Sequence, residues 1–280
     1  SHLGTQYCDG LRGAFVIYDP EDPFQHLYDV DDETTVITLA DWYHIRSTSV
    51  TDRATSDTTL INGLGRNCNG PATNLSVINV VQGKRYRFRL VSMSCDPNFI
   101  FSIDGHNMTI IEVDGVNHSP VTVDSIQIYS GQRYSVIIAA TQPIGNYWLR
   151  ALPNAGCTSF TGGANSAIFR YLGAAPVEPT TTNSSLHNPL VETSLHPLEG
   201  PGVPGGSAPA DISLCLNVTR VNGRFAINGA SFEPPSVPVL LQIMSGARAA
   251  QDLLPAGNVY TLPRNKTVEL IIPGGSVGSP

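Results

Sequence analysis

Gly83-Lys84-Arg85-Tyr86-Arg87-Phe88-Arg89-Leu90 alternates arginine with large apolar residues over its last six positions. Successive side chains of a strand point to opposite faces, so Tyr86, Phe88 and Leu90 form a core face and the arginines a charged one. The reading is a β-strand with a solvated charged face. The same signature recurs along the chain: short runs rich in Val, Ile, Tyr and Phe at 34–39, 75–81, 99–103, 108–113, 125–129, 133–139 and 146–151, separated by Gly, Pro, Asn or Asp. Gln82-Gly83, Asp104-Gly105 and Ser130-Gly131 read as hairpin-like turns. A further strand is expected at Ala14-Phe15-Val16-Ile17-Tyr18, and one helical turn at 246–253. Many short strands without a long helical period predict an all-β, antiparallel sandwich architecture.

At 280 residues the chain holds more than one ordinary domain and has ample length to bury a core. Charged residues are only 14% and the formal net charge is -7, with 26 glycines and 21 prolines, a turn-rich and weakly acidic balance. The lone basic cluster, Lys84 to Arg89, sits in a negative chain, so it reads as a strand face and not as a nucleic-acid footprint. No apolar run approaches the roughly 18 residues that span a bilayer, so no membrane partner is expected.

Sequons at Asn74, Asn107, Asn183, Asn217 and Asn265 lean towards a secreted glycoprotein; Asn117-His118-Ser119 is followed by Pro120 and is a poorer acceptor. Five cysteines cannot all pair within the chain. Cys215 shares a strand face with the sequon Asn217, opposite Ile212, Leu214, Leu216 and Val218, which argues against a core thiol. The pairing of Cys68, Cys157 and Cys215 stays open, a Cys157–Cys215 bridge being one possibility. The histidines show neither His-x-His nor His-x3-His spacing: His44 follows a strand, His106 sits in a turn, and His26, His118, His187 and His196 fall in expected loops.

The Pro/Thr/Ser-rich stretch 174–185 and the Gly/Pro-rich stretch 200–209 lack periodicity and read as an extended surface linker. Asp19-Pro20-Glu21-Asp22-Pro23 marks a second boundary. The expected organisation is therefore 1–20 as the end of one domain, 21–175 as a complete second, 176–210 as linker, and 211–280 as the first part of a third.

Ser1-His2-Leu3-Gly4-Thr5-Gln6-Tyr7-Cys8-Asp9-Gly10-Leu11-Arg12-Gly13 resembles the end of the second copper motif of fungal laccases, of the basidiomycete type, within the multicopper oxidases. Thr35 to His44, Leu60 to Arg66, Gly83 to Leu90 with Cys95-Asp96-Pro97-Asn98-Phe99, Asp104-Gly105-His106-Asn107-Met108 and Ile227-Asn228-Gly229-Ala230-Ser231-Phe232 are similar to laccase segments in the same order. Pro273 to Pro280 stands where laccases run into a His-Pro-Phe-His-Leu-His motif, so an internal fragment is expected.

The resemblance implies cupredoxin-like (plastocyanin-like) Greek-key sandwiches, a Cys8–Cys95 disulfide and His2 as a ligand of one trinuclear-cluster copper. It implies four coppers per complete parent and at most a partial site in this chain. Asp96 is implied as the carboxylate that accepts a hydrogen bond from a phenol or arylamine; a turn-forming Asp before Pro97 is its plainer reading. Asn154 and Phe232 match further pocket positions. Asp52-Arg53-Ala54 and Ala155 depart from the usual apolar or aromatic rim, which predicts a wider, more polar pocket. The implied parent is a secreted, monomeric laccase, oxidising phenols or arylamines by single electrons and reducing dioxygen to water. A ferroxidase or ascorbate-oxidase-type enzyme, or a copper-free cupredoxin-like binding module, are the alternatives. The chain alone is expected to be inactive.

Overall fold

The computed structural model describes residues 1–51, 54–182, 186–200 and 202–274, with Ala250 and Gln251 described by backbone only. The chain forms two compact units, Ser1–Gly200 and Pro201–Pro280. In the first, eleven strands run in order: β1 (Val36–Trp42), β2 (Thr58–Ile61), β3 (Val77–Val80), β4 (Arg85–Ser92), β5 (Phe99–Ile103), β6 (Met108–Val113), β7 (Val116–Val123), β8 (Ser125–Ile128), β9 (Arg133–Ala139), β10 (Asn146–Pro153) and β11 (Ser166–Tyr171). They build a six-stranded sheet, β2-β1-β4-β9-β6-β7, and a five-stranded sheet, β3-β11-β10-β5-β8.

Inward alternation from both sheets fills one core. Tyr86, Phe88 and Leu90 of β4 meet Phe99, Phe101, Ile126, Phe169 and Tyr171, all 5% exposed or less. Most pairings are antiparallel, but β1–β4 and β3–β11 are parallel, so the sandwich is mixed where the sequence reading expected it antiparallel. The three turns read as hairpin-like each join strands of different sheets: β3 to β4, β5 to β6 and β8 to β9. Glycine supplies the chain reversal in either case, so a turn signal marks a reversal without saying whether the next strand pairs or crosses over. The tight hairpin is Asp114-Gly115 between β6 and β7, with φ of 50° and 82°, the left-handed pair of a type I′ turn.

The charged face of β4 is covered at Arg87 and Arg89, whereas the Arg85 side chain stays 42% exposed. Arg87, 4% exposed, pairs with Asp22 at 2.6 Å and with Glu112; Arg89 holds Asp31 in a two-bond fork at 2.7 and 2.9 Å; Arg85 pairs with Asp29 at 2.9 Å. The segment from Asp22 to Asp31 covers this face and supplies most of its carboxylates. The expected strand 14–18 is irregular chain with Phe15 and Ile17 exposed. Apolar alternation gives strand propensity, yet a strand forms only with a ladder partner, and this stretch pairs with none among the described residues. His118 lies within β7 and not in a loop.

Residues 186–200 lie along the sandwich: Leu190 and Leu195 pack on its core, and Asn188 and His187 donate backbone amides to Asp124 at 2.8 and 2.5 Å. In the second unit, β12 (Ile212–Cys215) pairs in parallel with β16 (Val268–Ile271), and β13 (Val218–Val221), β14 (Arg224–Ile227) and β15 (Ala230–Ser231) form a meander. Helix α1 (Val239–Met244) precedes α2 (Ala250–Leu253). The expected turn at 246–253 contains α2, whereas α1 was not anticipated, because a six-residue apolar run suits strand and helix equally. No helix among the described residues is long and apolar enough to cross a membrane.

His106, in the turn between β5 and β6, is 6% exposed, with Nδ1 on the Asp104 carbonyl at 2.8 Å and Nε2 on the Tyr171 hydroxyl at 2.7 Å. Burial holds its pKa below the ordinary 6.5, the Asp104 carbonyl opposing that shift. The unfolded chain therefore takes up this proton before the folded one does. Stability from His106 is complete above pH 6.5 and is lost as pH falls from there towards the folded pKa. His106→Gln is expected to flatten the loss of stability between pH 6.5 and about 5, above the carboxylate range, in urea unfolding followed across pH.

Candidate functional site

Asp41 on β1 is fully buried, and its environment organises the loop that carries Asp96. Its carboxylate accepts from the Cys95 amide at 2.9 and 3.0 Å, the Asp96 amide at 3.1 Å, the Tyr43 hydroxyl at 2.9 Å and Arg12 Nη1 at 3.0 Å. Arg12 also donates to the Asp41 carbonyl at 2.7 Å and to the Met93 carbonyl, and its guanidinium lies 5.3 Å from the Tyr7 ring centroid. A carboxylate taken out of water needs several donors to offset its desolvation, and here they come from three separate stretches of chain. Burial, then the Asp41 charge, raises the Tyr43 pKa well above its usual value, so the phenol remains a donor.

The Cys8–Cys95 disulfide, with Cα atoms 5.1 Å apart, joins the first stretch to the third. Ser47 ties the same stretch to the chain beyond β1: its amide donates to Asp9 at 2.9 Å, and its hydroxyl lies 2.7 Å from Asp9 and 2.6 Å from Thr5. These bonds, the amide's first, keep the Asp9 carboxyl below the ordinary carboxylate range. Between these anchored segments lies a groove of about 240 Å³, lined by Tyr43, Ile45, Val50, Ala54, the disulfide and Asp96.

The structure brings Asn154 towards the same loop. Its amide donates to the Asn98 carbonyl and its Oδ1 accepts from the Asn98 amide, both at 3.1 Å. Three residues on, Cys157 forms a disulfide with Cys68, with Cα atoms 6.2 Å apart. That assigns the pairing the sequence left open and corrects the suggested Cys157–Cys215 bridge; Cys215 is free and exposed. An 89-residue separation corresponds to roughly 4–5 kcal/mol in the chain-entropy view of disulfides.

Phe232 belongs to the second unit and is 59% exposed there. His2 is exposed, in the stretch before the disulfide. Among the described residues no group of three or more His, Cys, Asp or Glu is placed to hold a metal ion, and four of the five cysteines are in disulfides. A copper centre needs several convergent imidazoles or a thiolate with two of them, so the donors of the described residues do not complete one on their own, and His2 would supply at most one ligand. Asp52 and Arg53 of the expected rim, and the sequon at Asn183, lie outside the described residues. Asn74, Asn107, Asn217 and Asn265 are exposed.

Sequence reading missed Asp41, quoting it only within a strand. An acidic residue in the otherwise apolar run Val36-Ile37-Thr38-Leu39-Ala40-Asp41-Trp42 was the available signal, since an unpaired charge does not sit in a buried strand. Asp41→Asn keeps the shape but leaves Arg12 buried without its counter-charge. The expected cost is about 3–5 kcal/mol, read as a lowered urea midpoint. Hydrogen exchange should rise first at the Cys95 and Asp96 amides.

The multicopper oxidase family model matches residues 33–174, half of the chain. Laccase-2 of Trametes versicolor is 59% identical over 98% of this chain, covering 53% of its own length. Laccase-2 of Pleurotus ostreatus is 57% identical over all of this chain and 53% of its own length. The chain thus spans about half the length of the curated relatives it matches. Among solved structures, Fet3p, a multicopper oxidase that functions in iron import, superposes with TM-score 0.79 at 21% identity, over 97% of this chain and 53% of its own. A mutant of the B. aclada laccase superposes with TM-score 0.63 at 26% identity, over 76% of this chain and 43% of its own. With its all-β sandwich and this match over half its length, the chain belongs to the multicopper oxidase family.

Proposed function

We propose that the chain is part of a secreted, monomeric laccase that takes single electrons from phenols or arylamines and reduces dioxygen to water. The carrying observation is Asp96, held by a buried charge network at the edge of a groove, in a chain 59% identical to a fungal laccase. Domains at 1–20, 21–175 and 211–280, with 176–210 as linker, remain part of this reading, each domain being a complete or partial cupredoxin-like sandwich.

In the complete protein coppers would supply the electron sink and the oxygen chemistry, and His2 would hold one of them through its imidazole. This chain's own residues bind and orient the reductant. The phenol enters the groove beside Tyr43 and Ile45 and donates its hydroxyl hydrogen to the Asp96 carboxylate. A carboxyl acceptor there would take the proton as the ring gives up its electron, so charge would not build up on the phenol. Asn154 shapes the rim. With Ala54 and Ala155 in place of larger groups, the rim accommodates bulky phenols. The identities favour a laccase over a ferroxidase or a copper-free module.

In the full-length protein, Asp96→Asn is expected to lower kcat/KM for a phenol about a hundredfold. A reductant without a transferable proton should lose little, and equal losses for both would sink the role of Asp96. The isolated 280-residue chain should show neither blue colour nor phenol oxidation.

A further inference from the structure

A second groove on the first unit, of about 550 Å³, shares no lining residue with the one beside Asp96 and is walled by Trp42, Leu60, Leu64, Pro71, Thr73 and Asn74. Trp42 is 45% and Leu64 44% exposed, so an aromatic and an aliphatic side chain of the same groove both meet water. Asn74 opens the sequon Asn74-Leu75-Ser76 and is itself exposed, whereas Leu75 and Ser76 are buried as the chain enters β3.

The backbone before Asn74 is clamped. Arg66 Nε donates to the Thr73 carbonyl at 2.6 Å, and the Thr73 hydroxyl donates to the Gly65 carbonyl at 2.9 Å. Arg66 is held in turn by Glu178 at 2.7 Å and the Gly162 carbonyl at 2.8 Å. A group attached to the Asn74 amide would start from a fixed point on the groove wall and not from a swinging loop.

We propose that Asn74 carries an N-linked glycan whose first sugars lie in this groove and cover Trp42 and Leu64. This rests on the secretion reading above. Attachment joins Asn74 Nδ2 to the anomeric carbon of a lipid-diphosphate-linked oligosaccharide: the C–N bond forms, the C–O bond to diphosphate breaks, and the amide loses one proton. Because Ser76 is buried in the fold, the sequon is read before β3 closes. The occupant follows from chemistry on both sides. A sugar ring presents an apolar C–H face to an aromatic ring and hydroxyls to water, which suits a half-exposed Trp beside aliphatic side chains. The attachment point stands within the groove itself, so the sugar arrives without the entropy cost of a separate partner.

The test uses the full-length protein recovered from medium. Glycopeptide mass spectrometry is expected to find sugar on the peptide containing Asn74. Amidase removal of the glycan, followed by acrylamide quenching, should raise the Trp42 contribution about twofold, as a half-exposed ring regains water. That contribution is the difference from a Trp42→Phe variant treated identically. Asn74→Gln should reproduce the deglycosylated value. A bare Asn74 with sugar at Asn107 or Asn217 overturns the inference alone. A glycan on Asn74 whose removal leaves Trp42 quenching unchanged shows a pendant chain and also overturns it. Protein retained in cells and bare at every sequon overturns the secretion reading with it.

Discussion

A carboxylate with no exposure to water, Asp41, sets the arrangement on which the first unit's groove depends. It stands against an Arg12 side chain that is 6% exposed, and neither group could be buried alone. The donors it needs come from Arg12, from Tyr43 and from the amides of Cys95 and Asp96. Stretches far apart in sequence are thereby drawn to one end of β1. The Cys8–Cys95 disulfide then makes that convergence covalent. Such a pair is a weak source of net stability but a strong source of specificity, because misplacing any one segment strands a charge in a dry site.

The same rule operates twice more. Arg150, 4% exposed, forms a two-bond fork with Asp104, each bond at 2.7 Å; Thr181 donates to that carboxylate at 2.6 Å, and Phe160 lies under the guanidinium. Arg87 and Arg89 join β4 to the segment from Asp22 to Asp31 and to Glu112 of β6. In each case a strand arginine fixes irregular chain onto a sheet. Loops that carry binding groups consequently rest on rigid supports, which is what a site needs to hold a substrate hydroxyl in one place. The Cys68–Cys157 bridge does the same for the loop after β10.

These supports give the proposed chemistry its division of labour. In that proposal electron acceptance would belong to coppers of the complete protein, and this chain would contribute the reductant's seat and the proton's destination. The glycan proposed at Asn74 concerns a separate groove, which a half-exposed tryptophan and a clamped sequon share.

Local pattern determined a good deal. Strands β5, β6 and β9 lie where short runs rich in β-branched and aromatic residues placed them, because such side chains pack well on a pleated, buried surface. The motif around Cys95 and Asp96 pointed to the family from residue order alone. Partnership was decided only by tertiary structure. Turns at Gln82-Gly83, Asp104-Gly105 and Ser130-Gly131 cross between sheets, since pairing depends on strands distant in sequence. Residues 14–18 have strand composition and join no ladder among the described residues. Arg87 and Arg89 of β4 are covered because a separate segment brings carboxylates to them, and Cys157 pairs with Cys68 because two loops meet. Sequence sets what each residue prefers to be next to; only the assembled sandwich sets which neighbours it has.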